Sequence, residues 1–409
     1  MVGLARNVCH WDLRRLIMGQ GQKLRIPLSF LVFLGLVVAL SSVSETLWGE
    51  KPEKISLQKE LVFQEGMKVS EFGKMNGLPD PVLKEVFGLS SQEDLQKTVT
   101  EFHLSEEEIL RQVNRAMALQ SEHESKDWLK IAVKFVLWFF FLGFVFYLMR
   151  ARRVTSGSRK WLLLSGIILF GVVLGSDPSP MGTVKDAIVL LAKSGAIFPP
   201  RAIALAIFLI LVFLANKFIC SWGCQFGTLQ DFIFRLNRDS KDRKGVLKQF
   251  KPPFVVTNAI RIVFLGVFTL TAFLWATDLV EPVDPFKIFA PAKIAWAGGL
   301  FIGAISLASL FIYRPWCHFF CPFGLIGWLI EKKSLFKIRV NYDTCVACEE
   351  CAKACPSTVM NAILKREMTI PDCFSCATCI ETCPTHSINF DPGKRDRPPP
   401  GKFSIEKAQ

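Results

Sequence analysis

Cysteines form the clearest chemical pattern in this 409-residue sequence, because twelve of the thirteen fall into four regularly spaced groups. Two groups repeat one spacing: two residues separate the first three cysteines, three precede the fourth, and a proline follows it. These groups are Cys345, Cys348, Cys351 and Cys355, then Cys373, Cys376, Cys379 and Cys383. Three thiolates from one tight loop cap three irons of a cube, and a fourth from a distance closes it. The spacing therefore predicts two 4Fe-4S clusters.

The repeated run also predicts which cysteines share a cluster. In bacterial ferredoxins with two clusters, the fourth cysteine of each run binds the cluster of the other run. The predicted ligand sets are Cys345, Cys348, Cys351 and Cys383 for cluster 1, and Cys373, Cys376, Cys379 and Cys355 for cluster 2. Structural zinc fits less well, since it usually uses two Cys or His pairs separated by a longer loop. Disulfides are disfavoured in a reducing cytoplasm.

The other two groups are pairs of cysteines with three residues between them, Cys220 with Cys224 and Cys317 with Cys321. Each pair closes an apolar run, so we expect all four thiols at the membrane boundary on one side. A three-residue gap puts two side chains on one face of a helix. The four thiols could hold a further metal centre, two could cycle as a disulfide, or all could be buried thiols that only pack. We favour a redox or metal role.

Haem is not expected as a cofactor. No Cys-x-x-Cys-His motif occurs, and none of the five histidines lies inside an apolar run. His318 and His386 are the histidines nearest to cysteine motifs, and we predict that both are surface or packing residues. The sequence carries no Gly-rich nucleotide fingerprint beside a predicted strand, and it identifies no catalytic residue.

The apolar composition indicates a membrane protein, since 51% of the residues are hydrophobic and 21% are charged. The apolar residues are concentrated in six runs near the ~20 residues that a helix needs to cross a bilayer. The runs are 26–43, 128–149, 161–175, 202–219, 254–276 and 294–313. We therefore predict an α-helical polytopic membrane protein with a C-terminal α+β ferredoxin domain of the bacterial 2[4Fe-4S] type.

Charge predicts the orientation of these spans. The formal net charge is +13, but the basic residues cluster beside the apolar runs and do not form a nucleic-acid-binding stripe. Residues 1–25, 150–160 and 220–253 hold 17 basic and 4 acidic residues. By the positive-inside rule these stretches are cytoplasmic. The prediction is a multi-pass protein of the bacterial inner membrane, in contact with lipid, with the ferredoxin domain cytoplasmic and no nucleic-acid partner.

The runs and motifs divide the chain into five segments. These are a cytoplasmic N-terminus with the first span (1–43), a periplasmic helical segment (44–127), a membrane domain with five further spans (128–316), a cytoplasmic double-cluster ferredoxin domain (317–391) and a disordered tail (392–409). We expect the first span to be an uncleaved anchor, because no clean A-x-A site follows it; a cleaved signal peptide is the alternative.

Local signals predict helices outside the spans. In the periplasmic segment, Asp80 before a proline is a predicted N-cap and Gly88 a predicted stop. Ser105 and Glu108 form a capping-box pattern. Residues 183–198 are amphipathic, and we expect them to lie flat at the interface or to re-enter the membrane, with a plain loop as the alternative.

Two stretches resemble one known family. Residues 314–324, which lead directly into 345–356, and residues 220–231 are similar to the motifs of NapH-type membrane ferredoxins, and the likeness covers roughly residues 161–384. The resemblance implies oxidation of quinol and delivery of electrons towards periplasmic reductases. Relatives of the NosR type support nitrous oxide reductase, and others accompany copper oxidase assembly. Gln225 departs from the usual proline, the outer helical segment is additional, and no NosR-type flavin domain is apparent.

These observations lead to two hypotheses of function. The first is a membrane electron-transfer subunit that relays electrons between the quinone pool and partner redox proteins through the two clusters. The second is an accessory protein that uses the same clusters to sense redox state or to assist assembly of a metal centre, as in the NosR or copper-oxidase-assembly type. The hypotheses differ in whether quinol reduces the clusters.

Overall fold

The chain is mainly helical, with one two-stranded sheet near its C-terminus. The computed structural model describes residues 3–48, 61–64, 66–89, 91, 93–365 and 367–403. The helices are α1 (Gly3–Trp48), α2 (Val69–Asn76), α3 (Asp80–Phe87), α4 (Glu106–Glu124), α5 (Trp128–Arg150), α6 (Ser156–Gly166), α7 (Pro180–Ser194), α8 (Pro199–Ala215), α9 (Phe218–Trp222), α10 (Gln225–Leu236), α11 (Phe254–Trp275), α12 (Trp296–Ala308), α13 (Pro315–Phe319), α14 (Pro322–Glu331), α15 (Glu350–Ala354), α16 (Val359–Lys365) and α17 (Thr378–Thr382). The strands are β1 (Phe336–Val340) and β2 (Ile388–Pro392).

Four helical segments in the described part of the chain are long and apolar enough to cross a membrane. They are Arg25–Trp48 in α1, all of α5, Ser156–Val173 and all of α11. Ser156–Val173 consists of α6 and a following π-helix, Ile167–Val173. It starts earlier than the predicted run 161–175, because Thr155 caps the helix by accepting from the Ser158 N–H. Apolar side chains on these helices, such as Phe140 and Val263, are exposed, as expected where a helix faces lipid.

The other two predicted spans are shorter helices. Helix α8 has 17 residues and α12 has 13, so at about 1.5 Å per residue both fall short of a ~30 Å hydrocarbon core. Asn216, directly after α8, has a positive φ of 62°, and Arg314, six residues after the end of α12, has a positive φ of 47°. Such a residue cannot continue a right-handed helix. The chain therefore leaves the helix direction just before each cysteine pair.

The outer helical segment has its own small core. Its buried side chains include Val69, Phe72, Val82 and Val113 from helices α2 to α4. The Ser105 hydroxyl accepts from the Glu108 N–H, which confirms the Ser105 half of the predicted capping box, while the Glu108 carboxylate accepts from Arg111 instead. Gly88 ends α3 in a left-handed conformation as predicted, whereas the predicted cap Asp80 is already the first helical residue. The segment is fixed to the bundle where Arg201 donates to Glu122 at 2.8 Å.

Residues 180–194 form helix α7, which packs against α8, α11 and α14. The alternative of a plain loop for the predicted stretch 183–198 is therefore wrong. Ser179 caps the helix by accepting from the Gly182 N–H, and Pro180 follows at the first turn. Buried Met181 and Val184 form its apolar face, while Lys185 is buried among carboxylates.

The C-terminal domain combines three short helices with the antiparallel pair β1–β2, in which Ile338 is opposite Phe390. The predicted disordered tail 392–409 differs from the structure as far as residue 403. Arg395 donates from Nε to the Ile338 carbonyl at 3.0 Å, and the Phe403 ring lies 6.1 Å from that of Tyr342. Residues 404–409 lie outside the described part of the chain.

Candidate iron-sulfur centres

Cavity 1 of the ferredoxin domain is lined by the four cysteines predicted for cluster 1: Cys345, Cys348, Cys351 and Cys383. The loop that carries the first three has positive φ at Ala347 and Glu349, each 55°. These left-handed turns curl the backbone tightly, and α15 then begins at Glu350. Cys348 is the exposed member, and Val346 beside it is also exposed.

Cavity 2 is lined by the set predicted for cluster 2: Cys355, Cys373, Cys376 and Cys379. Its loop repeats the first one, with positive φ at Ser375 (50°) and Ala377 (64°). The structure thus brings each predicted set of four around one cavity, and the binding of iron by each cysteine stays a prediction. Cys355 and Cys383 are in the crossed positions because each lies beside the other run.

Both cavities have apolar walls and polar hydrogen atoms that face sulfur. The Ser387 N–H donates to Cys383 Sγ at 3.3 Å, and the Thr378 hydroxyl lies 3.4 Å from Cys376 Sγ. The pKa of the Cys351 thiol and that of the Cys373 thiol are raised to about 12, mainly because both thiols are buried. Thiolates at these positions therefore need a bound cationic centre to offset their charge. The donor set fits 4Fe-4S clusters, which use four Cys thiolates.

The ferredoxin domain is joined to the helix bundle by hydrogen bonds to the cavity 2 loop. Trp222 Nε1 donates to the Ser375 carbonyl at 3.2 Å, and Arg159 Nε donates to the Cys376 carbonyl at 2.8 Å. On the other side of that cavity, Arg238 donates to the Ala354 carbonyl at 2.8 Å. We call the region where Trp222, Arg159 and Arg238 bond to the ferredoxin domain the seam. The Tyr313 side chain from the bundle lines cavity 2 directly.

The core cysteines, which we define as Cys220, Cys224, Cys317 and Cys321, are all buried in the bundle. Trp138 Nε1, in the middle of α5, donates to the Gly223 carbonyl at 3.1 Å. A Cβ on Gly166, in the Ser156–Val173 segment, would lie 3.2 Å from the Trp222 carbonyl oxygen. Trp222, between Cys220 and Cys224, also donates to the ferredoxin domain, so the boundary position of these cysteines stays a prediction.

Charged residues around the core cysteines were not predicted from the sequence. Lys217 and Arg261 both pair with Asp372, and Arg314 pairs with Asp231 at 2.6 Å. All five side chains are fully buried. One sequence signal was available: a cation stands three residues before the first cysteine of each pair, as Lys217 and Arg314. Ionisable residues inside a membrane domain are costly and mark function.

The two histidines behave as packing or surface residues. His318 is buried, with Nδ1 3.1 Å from the Arg314 carbonyl and its ring 5.3 Å from that of Phe374. His386 accepts from Arg152 through its backbone carbonyl. In the described part of the chain, no group of three or more His, Cys, Asp or Glu is spaced for a single metal ion.

A polar cavity of about 380 Å³ lies at the other end of the bundle from the ferredoxin domain. The Lys185 ammonium there lies within 3.4 Å of four carboxylates, those of Asp186, Asp278, Glu281 and Asp284. Burial is the main cause that raises the pKa of Asp284 to about 6, and Lys185 opposes that shift. A narrower cavity of about 50 Å³ adjoins it between α5, α7 and α8.

Comparison with known proteins gives matches over the same motifs. A model described as a 4Fe-4S binding domain matches residues 197–243 and 294–341, and one described as a 4Fe-4S dicluster domain matches residues 337–384. The first two matched ranges hold one pair of core cysteines each. The third holds all eight ferredoxin cysteines.

Three curated relatives are similar to this chain. The putative electron transport protein YccM of Escherichia coli is 28% identical over 50% of this chain and 55% of its own length. The ferredoxin-type protein NapH of Haemophilus influenzae is 26% identical over 54% of this chain and 77% of its own. The protein NirI of Paracoccus denitrificans is 25% identical over 39% and 28%. The matched part of this chain thus spans about half of YccM.

No solved structure gives a match to the chain. The cysteine runs, the paired Cys-x3-Cys motifs, the apolar helices and the relatives agree on one assignment. These findings support the NapH-type family of membrane-bound 4Fe-4S ferredoxins for this chain.

Proposed function

We propose that this chain is the electron-transfer subunit of a membrane complex, and that it relays electrons between the quinone pool and a partner redox protein. Two 4Fe-4S clusters in cavities 1 and 2 are the relays, with the crossed ligand sets given above. The observation that carries this proposal is the seam, where Trp222 and Arg159, two buried residues of the helix bundle, donate to the cavity 2 loop. A relay needs such close contact between membrane and cluster.

The order of the sites supports a linear path. The Phe374 ring, one residue after Cys373, lies against the guanidinium of Arg314 at 4.8 Å and the ammonium of Lys217 at 5.5 Å. Cavity 2 is therefore the cluster site nearest to the core cysteines. Cavity 1 holds the one exposed ligand of the two sets, Cys348. Electrons would pass from the bundle to cavity 2, then to cavity 1 and to the partner.

The narrow cavity between α5, α7 and α8 supports the quinone part of the proposal. Its walls include Trp128, Phe135 and Phe198, which suit an apolar ring, and Asp177 supplies a carboxylate at its polar end. Ligand sites of this kind combine apolar walls with a few polar groups. Gln225, next to Cys224, donates to the Pro178 carbonyl at 3.3 Å and so connects this cavity to the core cysteines.

Localisation is part of the same proposal: a bacterial inner membrane, with the ferredoxin domain in the cytoplasm. The basic loop between α5 and α6 supports it, because Arg150 pairs with Asp391 and Arg152 donates to the Asn389 side chain. The loop and the ferredoxin domain are therefore on one side of the bundle. By the positive-inside rule that side is cytoplasmic. The outer helical segment then lies in the periplasm.

Reduction of the clusters by quinol in proteoliposomes tests the function. The full chain is reconstituted without oxygen, a quinol is added, and bleaching of the iron-sulfur absorbance is followed. We expect bleaching with at least one of ubiquinol and menaquinol, and slower bleaching in Asp177→Asn. Cys9→Ser serves as the control for thiol substitution. Clusters that dithionite reduces but no quinol reduces would contradict the relay, and would favour the redox-sensing or metal-centre assembly role.

A further inference from the structure

We propose that the four core cysteines together bind a third 4Fe-4S cluster inside the helix bundle. Its role as a relay rests on the proposed function, but its binding is argued from the geometry and charge of the site alone. Each of the two stretches that match a 4Fe-4S binding domain holds only two cysteines. A cubane cluster needs four, so neither stretch can hold one without the other.

The two halves of the site are built alike. In both, a cation precedes the first cysteine by three residues, and a glycine follows the second cysteine by three residues. A Cβ on Gly227 would lie 2.6 Å from the Cys220 carbonyl oxygen, and a Cβ on Gly324 would lie 2.9 Å from that of Cys317. Both halves therefore require glycine for the same close approach of backbone to backbone. This repeated geometry indicates two equivalent halves of one site.

Helix starts direct backbone N–H groups at sulfur in both halves. Helix α10 starts directly after Cys224 and α14 directly after Cys321. The Gly324 N–H donates to Cys321 Sγ at 3.4 Å, and the Gly227 N–H donates to Cys224. Across the halves, Cys224 interacts electrostatically with both Cys317 and Cys321. Cys220 likewise interacts with Cys224 and Cys317, so the four thiols are near neighbours of one another.

Buried charge indicates that this site takes an anion. Lys217 and Arg261 share the carboxylate of Asp372, and buried Glu331 also lies near Lys217. Arg314 shares Asp231 with Arg235, which pairs with Asp242 as well, and Asp242 is itself shared with Arg159 and Arg238. The arginines also contact the cysteine backbones: Arg314 donates to the Cys220 carbonyl at 2.5 Å and Arg261 to that of Cys317 at 3.3 Å.

The Nε atoms of Arg261 and Arg314 are buried without a hydrogen-bond partner. Unbalanced buried cations are costly unless an opposite charge is nearby. A 4Fe-4S cluster with four thiolates is net negative, since the thiolates outweigh the positive core. Such a cluster would balance the excess of buried positive charge.

Other occupants fit the site less well. Two disulfides or four protonated thiols are neutral and would leave the cations unbalanced. A single metal ion needs closer ligands than the described residues provide anywhere. The ferredoxin cysteine sets are equally unsuited to a single ion, although four cysteines line each cavity. The core cysteines likewise form no group suited to a single ion, and four Cys thiolates are the usual ligands of a four-iron cube.

Such a cluster would accept one electron at a time and pass it to the cluster in cavity 2. A quinol that releases two electrons and two protons would reduce it twice in succession. The Phe374 ring beside Arg314 separates the core cysteines from cavity 2. No bond to sulfur forms or breaks in this step.

Iron and sulfide content of the purified full chain tests the proposal. We expect about twelve irons and twelve sulfides per chain in the natural protein and in Cys9→Ser. Cys224→Ser and Cys321→Ser should each contain about eight, with the ferredoxin signals retained in electron paramagnetic resonance, which shows that these variants fold. About eight irons in the natural protein, or unchanged iron in both variants, would overturn the third cluster.

The buried cations provide a second test. Lys217→Met should keep the iron content but lower the reduction potential of the third cluster, because a positive charge beside a cluster favours its reduced form. Lys251→Met, a change at a lysine that contacts the Ala352 carbonyl on the ferredoxin side, is the matched control. An unchanged potential in Lys217→Met would contradict the charge argument. If the protein contains about twelve irons but quinol does not reduce its clusters, the proposed relay is refuted and the third cluster is still supported.

Discussion

The ferredoxin domain and the centre of the helix bundle collect four thiols in opposite ways. In cavity 1, three of the four cysteines come from one loop of seven residues, 345–351, and polar hydrogens and apolar walls surround them. The core cysteines instead come as two pairs from separate parts of the chain, and buried cations surround them. The first kind of site is set mostly by local loop geometry. The second exists only when the whole bundle is assembled.

The two sites therefore differ in what a single substitution should do. A ferredoxin cluster depends on one loop and one distant cysteine, so its loss should leave the other sites intact. The core site depends on the packing of α8 to α14, so a change there should also report on the fold of the bundle.

The largest effect is expected from Cys355→Ser. Because Cys355 lines cavity 2 with the second run, this variant should lose the cluster of that run and keep the cluster of its own run. Its electron paramagnetic resonance spectrum after reduction should resemble that of Cys379→Ser. A spectrum like that of Cys351→Ser would contradict the crossed ligand sets.

The second effect concerns the core cysteines as one unit. Residues that act together give losses that are not additive. Cys224→Ser and Cys321→Ser should each lower the rate at which quinol reduces the clusters at least tenfold. The double variant should be no slower than either single variant. If the two single losses of rate multiply in the double variant, the two cysteine pairs act independently of each other. Natural activity in all three variants would leave these cysteines as packing residues.

A smaller effect is expected from Gly324→Ala. The added Cβ would meet the Cys317 carbonyl oxygen at 2.9 Å, and overpacking of this kind costs about 1–3 kcal/mol. Gly303→Ala in α12 is the matched control, because a Cβ there meets nothing within 4 Å. Denaturation in detergent should show the difference, together with lower iron content in Gly324→Ala only. Equal stability of the two variants would argue against the close approach.

The smallest effect is a pH dependence of protein stability, which arises at Asp284, far from both thiol sites. Burial raises the pKa of Asp284 from 3.8 to about 6, although Lys185 lowers it and Asp186 and Glu281 raise it slightly. The native state therefore holds this proton more tightly than the unfolded state. Stability should fall as pH rises from about 4 to about 6 and stay at the lower level above that range.

Asp284→Asn should flatten that slope without a change in iron content. Thermal denaturation of the full chain between pH 4 and pH 7 measures it. If the slope is the same in Asp284→Asn, another group causes it.

The sequence predicted the local features well. The two cysteine runs, the Ser105 cap and the Gly88 stop depend on a few adjacent residues, and the structure follows them. The crossed placement of Cys355 and Cys383 around the cavities also follows from the repeated spacing.

Features that depend on distant contacts were not predicted. The turns that precede the core cysteines are at Asn216 and Arg314; asparagine is a common turn residue, but arginine gives no such signal. The partners of the buried cations, Asp231 and Asp372, are distant in sequence from Arg314 and Lys217. The tail was predicted as disordered from its charge and prolines, but Arg395 finds an acceptor in β1.

The seam has a kinetic consequence. Buried hydrogen bonds from Trp222 and Arg159 hold the cavity 2 loop on the bundle, and Arg150 holds β2 from the other side. If electrons cross the seam as proposed, these hydrogen bonds fix the distance over which they pass. The rate of this transfer should therefore be independent of solvent viscosity. In the proposed relay, diffusion would slow only the encounter of a partner with the edge near Cys348, which is exposed.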